Sequence, residues 1–107
     1  MPRVFVVHET LDREAGRTKN LRPAEKYGEL VHCVKAGQQP DDLRGVLGRM
    51  REILETFTED DFILPIGHPI LIGWATALAA KKTLGKVKML CWKNRDYVVV
   101  AADLNND

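Results

Sequence analysis

The stretch 61–82, DFILPIGHPILIGWATALAAKK, narrows the possible folds more than any other part of the chain. Phe62, Ile63, Leu64 and Ile66 form an almost unbroken apolar run, the pattern of a strand covered on both faces in a parallel or mixed sheet. Pro65 has no amide hydrogen to give to a ladder, so the strand is expected at the limit of pairing there and to stop at Ile66. Gly67 permits a turn, and Pro69 suits the first turn of a helix, with His68 at or near the cap. From Ile70 to Ala80 the helix has no wide polar face before Lys81 and Lys82, so it is expected to be mostly buried, with Trp74 in the core. Gly73 lowers helix propensity by roughly 1 kcal/mol relative to alanine, which points to close approach of another element. The run is shorter and richer in alanine than the about 20 apolar residues of a membrane span, so it reads as core and no membrane association is expected.

The flanking segments supply what covers this element. Arg3 to His8, RVFVVH, is β-branched or aromatic at its central positions and reads as a neighbouring strand. Residues 9–26 carry nine charged side chains and no clean period, the pattern of a long, mobile, solvated loop. Tyr27 to Val34 is a strand, with Leu30, His32 and Val34 on one face and Val31 and Cys33 on the other. Asp41 or Asp42 caps an amphipathic helix whose apolar positions are Leu43, Val46, Leu47, Met50, Ile53, Leu54 and Phe57. Lys86 to Lys93 and Tyr97 to Leu104 bracket Asn94-Arg95-Asp96 as a hairpin, one side of which sees water. Residues 105–107 read as a frayed polar tail. The 107 residues therefore fit one domain of the α/β (mixed α+β) class, a five-stranded mixed sheet with two helices in the order β-β-α-β-α-β-β.

Composition limits function. Sixteen basic and fifteen acidic residues give a net charge of +1, so no global field draws the chain to nucleic acid or to an anionic membrane. The short apolar stretch in MPRVFVVHE does not make a signal sequence, and a cytoplasmic setting is expected. Cys33 and Cys91 sit in apolar surroundings and read as buried free thiols, with a structural disulfide left open. His8, His32, Cys33, His68 and Cys91 show no chelating spacing, because adjacent strand residues such as His32 and Cys33 point to opposite faces. No P-loop, GxGxxG or GxSxG is present. No catalytic residue, metal or cofactor is therefore expected.

The strand-to-helix corner at Gly67, His68 and Pro69 is the place where an open α/β sheet would hold a ligand. Backbone amides of His68, Ile70 and Leu71 could receive a phosphate or carboxylate, with Arg13, Arg17, Lys19 and Arg22 of the loop closing over it. The bland reading makes His68 a helix cap and the loop a solvated charge mixture. Trp92, Lys88 and Arg95 mark a candidate interaction surface on the half-covered hairpin. Lys81, Lys82, Lys86, Lys88, Lys93 and Arg95 place six positive charges in fifteen residues, a weaker nucleic-acid candidate with a solvated face as its plain alternative.

The run from Ile66 to Ala75, the strand Leu90-Cys91-Trp92-Lys93 with Arg95 after it, and the closing Asp103-Leu104 resemble small proteins of unassigned function encoded by tailed bacteriophages. The resemblance implies a phage or prophage source and a host-cytoplasmic setting, and it assigns no activity. An acidic residue is expected before the proline in such proteins, where this chain has His68. The preferred expectation is an accessory protein acting by protein–protein interaction or self-association. The alternative is a small anion- or nucleotide-binding domain, enzymatic or not, that uses the His68 corner.

Overall fold

A computed structural model describes residues 2–9, 11–12, 17–18, 21–34 and 43–105, and the structural statements below refer to these. In chain order they form β1 (Arg3–His8), β2 (Leu11–Asp12), β3 (Arg17–Thr18), a 3-10 turn (Arg22–Tyr27), β4 (Glu29–Val34), α1 (Leu43–Ile53), a second 3-10 turn (Leu54–Thr56), β5 (Phe62–Leu64), α2 (Pro69–Lys82), β6 (Lys86–Lys93) and β7 (Asp96–Asp103). The main sheet has five strands in the order β4-β1-β5-β6-β7, and β2 pairs only with β3. β1 lies parallel to both β4 and β5, β5 is parallel to β6, and β7 is antiparallel to β6. The expected mixed sheet, class and element order are therefore present.

β1 is an interior strand between β4 and β5, and every one of its residues from Val4 to His8 is buried. Alternation sends Phe5 and Val7 to one face and Val4 and Val6 to the other. On the first face Phe5 and Val7 meet Val46 and Met50 of α1, Leu71, Ala75 and Ala79 of α2, and Phe57. Both helices thus cover the same side, which periodicity alone leaves undecided. On the second face Val4, Val6, Phe62, Leu64, Leu90 and Tyr97 meet Ala24 of the first 3-10 turn and Leu21 just before it.

Two local readings are revised. β5 ends at Leu64, two residues short of Ile66, because Pro65 cannot donate; the Ile66 amide instead turns back to the Leu64 carbonyl at 3.0 Å. α2 is only partly buried: Leu71, Ala75 and Ala79 face the sheet while Ile70, Gly73 and Ala77 are exposed. Trp74 is half-buried, held by its indole N–H donating to the Leu47 carbonyl at 2.9 Å and by the Arg51 guanidinium over its ring. Within the segment 9–26, β2 and β3 pair and a 3-10 turn packs against the sheet with Ala24 fully buried. Of the polar tail, Asn105 is tied back by its side-chain amide donating to the Leu84 carbonyl at 2.8 Å. The Asp41 or Asp42 cap lies outside the described residues.

One polar clip joins the start of β1 to the turn before β5. Asp61 is buried and accepts from the Arg3 amide at 2.9 Å, the Arg3 guanidinium at 3.0 Å, and the Thr58 amide and hydroxyl at 2.9 and 3.1 Å. Burial alone would raise its carboxyl, but the bonds from Arg3 and Thr58 outweigh it and hold the group below the usual carboxylate range. A lowered folded-state value stabilises fully above that range and is lost as pH falls through it. Asp61→Asn is therefore expected to cost about 2 kcal/mol at neutral pH. In acid melting series the gap between the two proteins should close below the usual carboxylate range, and a gap constant with pH would contradict the ionic account.

Candidate functional site

The order β4-β1-β5 makes the boundary between β1 and β5 a switch point: the chain leaves β1 towards β4 on one side and leaves β5 towards β6 on the other. Ligands of open α/β sheets lie outside the carboxyl ends of strands at such a point. Here those ends deliver His8 from β1 and the Gly67-His68-Pro69 corner after β5.

The corner is built tightly. The His8 amide donates to the Ile66 carbonyl at 3.1 Å, extending the β1–β5 contact past the end of β5. Gly67 has φ +106, and a Cβ built on it would lie 2.3 Å from the His8 Cβ and 2.6 Å from the His8 carbonyl oxygen. Only glycine fits there. The His68 amide donates to His8 Nδ1 at 3.3 Å, and the Ile70 amide donates to His68 Nδ1 at 3.1 Å. His68 is thus the N-cap of α2, with Pro69 opening its first turn. An imidazole whose Nδ1 accepts carries its neutral-form proton on Nε2, so both rings are oriented by the corner.

Beside this pair, the Glu9 amide donates to the Val34 carbonyl at 3.2 Å, and the Glu9 carboxylate meets His32 Nε2 at 2.9 Å. The carboxyl end of the β4-β1-β5 triplet therefore gathers three histidines and one carboxylate. Among the described residues no three His, Cys, Asp or Glu side chains converge as a metal site. His8, Glu9 and His32 come together only through parallel pairing of strands distant in sequence. The one local hint was the position of His8 at the end of β1.

Of the three amides nominated for an anion, those of His68 and Ile70 are taken by imidazole nitrogens, and that of Leu71 belongs to a buried residue. Arg13 and Lys19 lie outside the described residues, as does the Arg17 side chain. Arg22 is exposed at the start of the first 3-10 turn. Cys33 is half-buried and its thiol is pushed up to about 12 by burial, which removes it as a nucleophile at neutral pH. Cys91 is exposed, contrary to the buried reading, because the carboxyl end of β6 is left uncovered; both thiols are free.

The interaction residues fall on the hairpin. Trp92 is half exposed and stacks edge-on against Tyr97 at 4.8 Å between centroids. Lys88 holds its ammonium over the Phe62 ring at 4.4 Å. Asn94 and Arg95 have φ 53 and 65, the two left-handed positions of a two-residue type I′ turn. Of the six basic residues considered for a nucleic-acid contact, Lys86 and Lys93 lie at opposite ends of β6, roughly 23 Å apart at strand rise. Lys82 is also paired with Glu55 at 3.0 Å.

Two surfaces were not singled out by residue. An open cavity of about 640 Å³ lies at the carboxyl ends of β5 and β6, lined by Leu64, Ile66, Leu90, Cys91, Trp92 and Tyr97 among others. At the sheet edge, Val98, Val99 and Val100 of β7 are 39, 42 and 46 % exposed. The signal for the second was the run YVVVAA, free of the lysine or proline that blunts edge strands.

No helix among the described residues is long and apolar enough to cross a membrane. Comparison with curated proteins and with solved structures gave no match. A family model described as Phage Pam3 gp32-like protein matches residues 2–106. With nearly its whole length matched, and with the phage-like motifs at Ile66 to Ala75 and Leu90 to Lys93 inside the matched span, the chain belongs to the phage Pam3 gp32-like family, phage-encoded proteins of unassigned function.

Proposed function

We propose that this phage protein is an accessory protein that works in the host cytoplasm by binding other protein chains, with no catalytic step of its own. The observation that carries this reading is β7, an eight-residue edge strand whose three consecutive valines are exposed. A long apolar edge strand without charge or proline in its middle is a template for strand addition, where main-chain bonds give affinity and alternate side chains give specificity. Exposed Trp92 and the neighbouring apolar cavity supply a second contact next to that edge. Aromatic side chains of this kind dominate binding energy at interfaces.

Affinity capture from phage-infected host lysate tests the reading. Val99→Lys places a charge on an exposed position, so the fold should be unaffected to within about 0.5 kcal/mol. The wild type is expected to retain a specific protein, its own chain included, that Val99→Lys and Trp92→Ala lose. Capture that both variants leave intact would sink the strand-addition reading.

The second reading, a small anion or nucleotide at Gly67, His68 and Pro69, is favoured by the switch-point position. It is weakened by the two amides already bonded to His8 and His68. Under the preferred reading neither phosphate nor nucleotides should shift the melting temperature. A shift abolished in His68→Ala would move the assignment to the corner.

A further inference from the structure

The parallel ladder between β5 and β6 stops at a proline. The two-residue hairpin, together with the Leu104 amide donating to the Gly85 carbonyl at 2.9 Å, sets the parity of β6: odd-numbered residues bond to β7 and even-numbered ones face β5. Ile63 stands opposite Met89, so its amide and carbonyl meet the Lys88 carbonyl and the Leu90 amide. The next bond of this ladder would run from the amide of residue 65 to the Leu90 carbonyl, and Pro65 has no amide hydrogen. Past it the chain swings towards β1, where the Ile66 carbonyl accepts from the His8 amide at 3.1 Å. β6 continues to Lys93 without that neighbour. Among the described residues nothing bonds to the Leu90 carbonyl or the Trp92 amide, and the Trp92 carbonyl has only the Cys91 thiol at 3.8 Å.

The cavity of about 640 Å³ lies in this vacated lane. Its walls come from both faces of the sheet: Leu64, Leu90 and Trp92 from one, Met89 and Cys91 from the other. A flat ring stacked on one face would use only half of them. An extended chain lying in the plane of the sheet sends alternate side chains to both.

Resting on the reading that the protein binds other protein chains, we infer that this lane takes the amino-terminal segment of a partner chain, apolar in its first residues, as a short strand parallel to β6. The direction follows from the free groups. In a parallel strand the first residue donates to the Leu90 carbonyl and accepts from the Trp92 amide, as Ile63 does one step earlier with Lys88 and Leu90. An antiparallel strand would set a carbonyl against the Leu90 amide, which Ile63 already occupies. Pro65 and Ile66 close the lane at its inner end, so the occupant enters end first. In the parallel sense that end is the amino terminus, whose positive charge complements the partial negative charge of the Leu90 carbonyl. The first side chain falls beside Met89 and Cys91 and the second beside Leu90 and Trp92, which calls for apolar residues at both. Two or three ordered residues bury far less than a standard interface, so the segment alone binds weakly.

Hydrogen exchange and a peptide titration, both followed by NMR on the full chain, test it. In the free protein the Met89 and Cys91 amides, bonded to β7, should exchange slowly and the Trp92 amide fast; a slow Trp92 amide would overturn the open lane. The probe is Val-Leu-Val-Ala amide with a free amino end, which should shift and protect the Trp92 amide saturably at millimolar concentration. N-methylation of its third residue, whose amide donates to the Trp92 carbonyl, should weaken binding about tenfold, and N-methylation of the second, whose amide points away, should not. Equal effects of the two, or a Trp92 amide indifferent to the peptide, would overturn the strand. Acetylation of the amino end adds a group where Pro65 closes the lane, and binding that survives it would overturn the amino-terminal entry. Pro65→Ala supplies the missing amide, which should bond to the Leu90 carbonyl and seal the lane, so peptide binding is lost with no fall in melting temperature. Wild-type binding by Pro65→Ala would place the peptide elsewhere and sink the proposal. Capture of a host or phage protein that Pro65→Ala leaves intact and Val99→Lys abolishes would overturn the lane as the contact while the β7 reading stands.

Discussion

Replacing Phe5 by alanine is expected to destabilise the protein by about 3 to 5 kcal/mol, the range for deleting a fully buried aromatic side chain. Phe5 has no exposed surface and lies in the interior strand β1, where it meets Phe57 edge-on at 5.4 Å between centroids. The Arg3 guanidinium also rests against its ring, 4.9 Å from the centroid. Its neighbours come from both helices and from β5, which are held by their own backbone bonds and cannot collapse into the space. The melting temperature should fall by roughly 20 °C for a chain of this size. Thermal unfolding followed by circular dichroism measures it, and a loss under about 1 kcal/mol would mean that the face beneath α1 and α2 is not the main core.

Gly67→Ala is expected to cost about 3 kcal/mol or more, from two sources that act together. The backbone at φ +106 is strained for any side chain, and the new methyl would fall 2.3 Å from the His8 Cβ and 2.6 Å from its carbonyl oxygen. Both contacts involve atoms fixed by β1, so relief requires the corner to move away from the strand. That movement should break the bond from the His68 amide to His8 Nδ1, and NMR titration of the two imidazoles would see both environments change together. A variant with wild-type stability and an unchanged His8 signal would show that the corner is looser than described.

Much of the architecture was readable in the amino-acid order. The β-branched run at Val4 to Val7, the apolar run at Phe62 to Leu64 and the two strands around Asn94 and Arg95 each identify themselves by composition and period. The crossover rule then placed β6 parallel to β5. What was not readable depended on contacts between distant segments. Leu21 and Ala24 are too few to show a period, and only docking on Val4, Val6 and Phe62 orders them as a turn. In α2 the apolar residues surround the helix, so nothing in the sequence says that Ile70 and Ala77 are exposed and Leu71 and Ala75 buried. The meeting of His8 with the corner spans 60 positions and follows from strand order alone. The exposed edge at β7 was visible as composition, but which of its backbone groups are open depends on Tyr27, seventy residues away.

The position of β1 between two later strands has a consequence for how the chain comes into being. A ribosome makes Val4 to Val7 before either lateral neighbour of this strand: one appears only with Glu29 to Val34 and the other only with Phe62 to Leu64. Until then its most apolar segment has open edges on both sides and no helix above it. Pairings that distant in sequence close slowly, and strand edges exposed in the meantime are prone to aggregate. The hairpin of β6 and β7, by contrast, closes locally through a two-residue turn once it has emerged. Fragments that end before Phe62 should therefore be insoluble, and during synthesis the nascent chain should depend on chaperones until the residues after Asp61 have left the ribosome.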